Sequence, residues 1–254
     1  AVMARQLHPS RMGGFHHLFV EGAEALAAGW QGRVDVAPGL GAATALAVMR
    51  ALFGDTARMA DAQRLVTSFA AFEGAVMGVD LAYVFGLPPR FSGFQFRSAW
   101  RHARDVRRIC SDAMAIAEPG GILGALRAAQ TEDGAALLDE TQLISEVAMM
   151  LLAGSETSAN ALSWALYLVA RHPPTLARLR EEHGRVLGGR APTVDELNKL
   201  PFTRAVLQET MRLYPPVPYL SRQAAGPVGD QAHHAGPGDL PDRKHDGEAG
   251  DAAR

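Results

Sequence analysis

Residues 141–171 contain no proline and a single glycine, and their apolar side chains fall on every side of a helical wheel. Leu143, Ile144, Val147, Met149, Met150, Leu151 and Leu152 fill the first half, and Leu162, Trp164, Leu166, Leu168 and Val169 the second. An uninterrupted helix over this stretch would run roughly 45 Å. A helix that is apolar all round belongs in the core of a large domain. The chain is therefore expected to build a helical fold around one long, buried central rod, stopped by His172-Pro173-Pro174.

The flanking sequence agrees with this reading. Apolar residues at helical spacing predict helices over 5–30, 42–53, 61–84, 96–118 and 122–129 before the rod, and over 175–187 and 201–214 after it. Thr193-Val194-Asp195-Glu196 has the form of a capping box opening a short helical turn. Pro215-Pro216 stops the last helix, and 217–224 reads as extended. Strand signals are few, so the expected class is mostly α with little β. From residue 225 onward Gly, Asp, His and Pro dominate, and such a segment buries too little apolar surface to offset its ordering entropy. The expected organisation is one domain over 1–226 and a divergent, disordered tail over 227–254.

Bulk properties narrow the function classes. With 254 residues, 48% hydrophobic, 20% charged and a net charge of −2, the chain has the profile of a soluble globular protein and not of a nucleic-acid binder. No window reaches the roughly 18 unbroken apolar residues of a membrane span. Cys110 is the single cysteine, which rules out an intrachain disulfide or a multi-cysteine metal site. The expected location is the cytoplasm.

Two polar constellations interrupt the apolar pattern. Glu156-Thr157 sits in the middle of the rod beside Gly154, where a carboxylate and a hydroxyl cost several kcal/mol unless partnered. Either a helix–helix crossing satisfies them locally, or Gly154 admits a flat ligand beside them. On 201–213, a wheel places Glu209 among Phe202, Val206 and Leu213, with Arg212 about 60° away. The pair is either a surface ion pair or a buried structural clamp.

Ala153-Gly154-Ser155-Glu156-Thr157 resembles the central-helix motif of the cytochrome P450 family, and Glu209-Thr210-Met211-Arg212 resembles its Glu-x-x-Arg motif. The flanks Ala170-Arg171-His172-Pro173, Leu200-Pro201-Phe202 and Leu213-Tyr214-Pro215-Pro216-Val217-Pro218 are similar to the family as well. The resemblance spans residues 1–226 and implies a partial cytochrome P450 fold: a haem b monooxygenase that activates dioxygen and inserts oxygen into a small apolar organic substrate. Its electrons would come from a redox protein, a ferredoxin or a flavoprotein. By resemblance, Glu156 and Thr157 are catalytic and deliver protons to bound dioxygen. Ala153 and Gly154 lie along the haem, Arg222 contacts a propionate, and Glu209 with Arg212 forms the clamp.

The family's haem loop, Phe-x-x-Gly-x-x-x-Cys-x-Gly, has no counterpart after the Glu-x-x-Arg helix, because no cysteine follows Cys110. Cys110 precedes the central helix and is not expected to stand in as ligand. The expectation is a chain with the family's architecture but no metal ligand, without activity by itself. The competing reading is a non-enzymatic helical scaffold or interaction protein.

Overall fold

Proline and glycine set the breaks, and between them the chain is helical. The computed structural model describes residues 13–77, 93–118, 121–130, 134 and 136–219. A 3₁₀ turn at Gly13–Phe15 leads into α1 (His16–Gly29), followed by α2 (Val36–Phe53), α3 (Met59–Met77), α4 (Gly93–Ala115) and α5 (Gly121–Arg127). The long helix α6 (Glu140–Arg171) comes next, then α7 (Pro173–Leu187), a 3₁₀ turn at Val194–Lys199 and α8 (Pro201–Leu213). The only β feature among the described residues is an isolated bridge between Gln130 and Ala136. The fold is mostly helical around a long central helix, as expected. The chain divides into two units, Ala1–Pro218 and Tyr219–Arg254. The expected boundary at 226/227, the tail beyond it and Arg222 lie outside the described residues.

The ends of these helices have local causes. Asp139 caps α6: its carboxylate accepts the Gln142 N–H at 2.8 Å, and the Gln142 side chain accepts the Asp139 N–H at 2.9 Å. Gly188, in the left-handed region at φ 60°, closes α7 and donates to the Gly184 carbonyl. The expected capping box at Thr193 and Glu196 is present. Among the described residues the largest boundary difference is α2, which begins at Val36 and not at residue 42, and the expected helical stretches 5–12 and 78–84 lie outside the described residues. Pro38 falls in the first turn of α2, where proline is tolerated because the N–H groups there have no helical partner. Asp35 opens that turn by accepting the Ala37 N–H at 3.2 Å. Gly39 lets a neighbour close in: a Cβ there would lie 2.8 Å from Leu26 Cδ1.

The core gathers around α2. Leu46, Met49, Leu52 and Phe53 of α2 meet Leu65 of α3, Val106 and Ile109 of α4, Leu123 of α5, and Leu143, Val147 and Leu151 of α6. By length and composition α2 is also apolar enough to cross a bilayer, but half of it is buried against its neighbours, as a core helix would be. The rod departs from the all-round burial expected of it. One stripe of α6 is buried (Leu143, Val147, Leu151, Ser155, Ala159 and Ala165), while Met149, Leu162, Trp164, Leu166 and Tyr167 are exposed. The physical reason is one-sided packing: α2, α4 and α5 pack along α6, and α7 and α8 also meet it, but among the described residues nothing covers its remaining face.

Candidate functional site

The residues singled out on α6 separate onto three faces. Ser155 is buried toward α2, where its carbonyl lies 3.0 Å from the Thr44 hydroxyl and its own hydroxyl donates to the Leu151 carbonyl at 2.6 Å. Gly154 is turned the same way: a Cβ there would stand 3.2 Å from Val48 Cγ2. Its lack of a side chain serves a close helix crossing at that point. Valine is stiff, so Gly154→Leu is expected to cost about 1–3 kcal/mol in urea-induced unfolding, with partial relief from Val48→Ala.

Ala153 faces outward. With Met149 and Trp164 it forms an exposed stripe along α6, and Thr157 lies half-buried at its edge. The Thr157 hydroxyl donates to the Ala153 carbonyl at 2.6 Å, the local bond that makes threonine tolerable inside a helix. Its oxygen lone pairs are left free for a further donor.

Glu156 faces a cavity of about 140 Å³ between α2, α3 and α6. Its partner there is Glu73 of α3. Burial, the neighbouring Glu73 charge and a hydrogen bond between the two carboxyls hold the Glu156 pKa above its ordinary value. Sequence reasoning missed Glu73, because a carboxylate at the half-buried edge of α3 carries no periodic signal.

The second motif behaves differently from its wheel. Arg212 pairs with Glu209 through two bonds, of 2.8 and 2.7 Å, but the side chains are 67% and 56% exposed. Of the two readings left open for this pair, the surface ion pair is the one found. Leu213 is also exposed, whereas Thr210 is 2% exposed and bonds back to the Val206 carbonyl at 2.8 Å. Two threonines, 203 and 210, share the inner side of α8 with Val206 and Leu207, so a wheel weighted by hydrophobicity points the wrong way.

What anchors α8 is Glu182 of α7, another residue without a sequence signal. Its carboxylate accepts the N–H groups of Phe202 and Thr203 at 2.8 and 2.9 Å and the Thr203 hydroxyl at 2.7 Å. It caps the helix from a different element. Burial opposes its charge, but the bonds from Phe202 and Thr203 and the neighbouring His183 outweigh burial and lower its pKa. At the far end of α8, Tyr214 stacks on Trp164 of α6 at 4.0 Å. The two motif-bearing helices are thus joined.

The motifs, their order and the packing of α8 on α6 agree with comparison to known proteins. The cytochrome P450 family model matches residues 22–228. The chain belongs to the cytochrome P450 family.

Cyclooctatin synthase of Streptomyces melanosporofaciens is 32% identical over 216 residues, covering 82% of this chain and 47% of that protein. The cytochrome P450 monooxygenase pvhE of Talaromyces variabilis is 48% identical over 86 residues, 34% of this chain and 16% of its own. The crystal structure of a cytochrome P450DA heme domain superposes with a TM-score of 0.66 at 23% identity, over 83% of this chain and 48% of that one. The chain spans about half the length of the cyclooctatin synthase it resembles.

The family's haem can be set against this P450 chain residue by residue. The outward stripe at Ala153 and Thr157 is small and polar where a flat apolar group would approach α6. The iron-ligating side is not met. Cys110 is fully buried in the core between α4 and its neighbours, and burial pushes its thiol up to about 12, so it is neither accessible nor ionised. No group of three or more His, Cys, Asp or Glu among the described residues is placed to hold a metal. The single thiol of the sequence is thus not placed to ligate a haem iron.

Proposed function

We propose that this chain carries the oxygen-side half of a cytochrome P450 haem monooxygenase acting on a small apolar organic substrate, and that by itself it forms no haem-thiolate centre and is inactive. The observation that carries the second part is the burial of Cys110, the single thiol in the sequence. Haem, when bound, supplies dioxygen activation; the chain's own residues supply a surface and a proton. In this reading Ala153 leaves room against α6, Thr157 offers its hydroxyl at the edge of the open stripe, and Glu156 holds a proton one residue away. Gly154 contributes through the α2 crossing. Arg222 is assigned to a propionate, and Glu209 with Arg212 braces the α8 end. A ferredoxin or flavoprotein electron donor and a cytoplasmic location belong to the same proposal, resting on family membership and on the near-neutral charge.

The test is spectroscopic. Haemin added to the chain, then reduced under carbon monoxide, is expected to lack the red-shifted Soret band of a thiolate-ligated complex. Cys110 is expected to stay unmodified by a thiol reagent until denaturant is added. A thiolate-type spectrum from the native chain would refute the proposal of inactivity.

A further inference from the structure

We propose that Glu73 of α3 is the proton-sharing partner of Glu156, so that the two carboxyls hold one proton between them at the cavity wall and form the proton store beside Thr157. The use of that proton rests on the oxygen-side reading above; the pair itself does not.

The surroundings leave the pair few alternatives. Leu65, Val66 and Phe69 of α3 and Leu152 of α6 give the cavity an apolar lining. From α2 only Ala37 and Gly41 reach it, neither of which carries charge. Ser155 is committed to the Leu151 carbonyl, and Asn160 is the remaining polar side chain. Among the described residues no Lys, Arg or His lines the cavity to compensate two carboxylates. Two like charges against an apolar wall are unfavourable together, and the pair resolves this by keeping one acid protonated, its O–H donating to the other carboxylate. The cavity has room for several waters, and these need polar partners that the two carboxyls provide. When the shared proton leaves for a water, one O–H bond breaks and both groups become carboxylates. A proton from bulk water restores the pair.

The same arrangement fixes a sign for stability. The folded chain binds the proton more tightly than the unfolded chain, so stability falls as pH rises from the ordinary value of 4.5 through the raised one.

The experiment is a carboxyl-carbon NMR titration of the full chain with labelled glutamate. Glu156 is expected to titrate above the ordinary carboxylate range. In Glu73→Gln and in Glu73→Ala, Glu156 is expected to move down, and the loss of stability on raising pH to shrink. Burial raises Glu156 more than Glu73 does, so some upward displacement remains in the variants. Glu156 titrating normally in the wild type, or unmoved in both variants, would overturn the proposal. Added haemin tests the underlying reading separately: broadening of the Ala153 and Thr157 methyl signals supports it, and its absence counts against that reading while leaving the pair intact.

Discussion

Glu182→Ala is expected to destabilise the fold by about 3 kcal/mol, a large effect for a charged residue on an otherwise polar helix. The carboxylate satisfies two orphan N–H groups at the start of α8 and the Thr203 hydroxyl. Removing it leaves those donors without partners in a half-buried place, and leaves His183 facing Thr203 without the anion beside it. Glu182→Gln keeps one oxygen and loses the charge, so it should cost about half as much. The pH dependence has a definite sign. A pKa held below 4.5 means that the contribution of Glu182 is fully present above that pH and fades as pH falls through the depressed value. Urea unfolding at neutral pH measures the loss, and the gap between wild type and Glu182→Gln should narrow in acid. Hydrogen exchange localises it: the amides of Phe202 and Thr203 should exchange faster in either variant. Equal exchange in wild type and variant would remove Glu182 from its role as the cap of α8.

Much of this architecture could be read from local pattern. The rod at 141–171 is Glu140–Arg171, and its stops at Pro173 and Pro174 act through the missing N–H. What could not be read depends on pairs of elements. Glu73 and Glu182 are ordinary acids on amphipathic helices until α6 and α8 are packed against them. The wheel for α8 failed because it grouped Glu209 with Leu213 on an apolar face, whereas the hydroxyls of Thr203 and Thr210 are satisfied within or beside the helix and go inside. The wheel for α6 failed in the opposite sense. Apolar residues on all sides state that a helix can be buried all round, but only neighbours bury it. Gly154 shows a third case: a family motif marked the position, and the structure gives it a packing cause in Val48. For Ala153, Glu156 and Thr157, the spacing placed them on one helix, but only the packing of α2 and α3 separates the closed cavity side from the open stripe.

That separation predicts very unequal costs for neighbouring residues on the same helix. Leu151 is fully buried among the core residues of α2, α4 and α5, so Leu151→Ala should lose about 3–4 kcal/mol, the transfer term plus the cavity that stiff neighbours fail to fill. Met149, two residues earlier and 59% exposed, should lose no more than about 0.5 kcal/mol on the same truncation. Composition alone would rank the two alike, since both are large apolar residues in the same apolar run. Urea unfolding of the two variants, with the denaturant slope checked for constancy, decides between one-sided and all-round burial of α6. If Met149→Ala were as damaging as Leu151→Ala, the outward stripe would be covered in solution, and the surface assigned to a flat apolar group beside Ala153 and Thr157 would already be filled by protein.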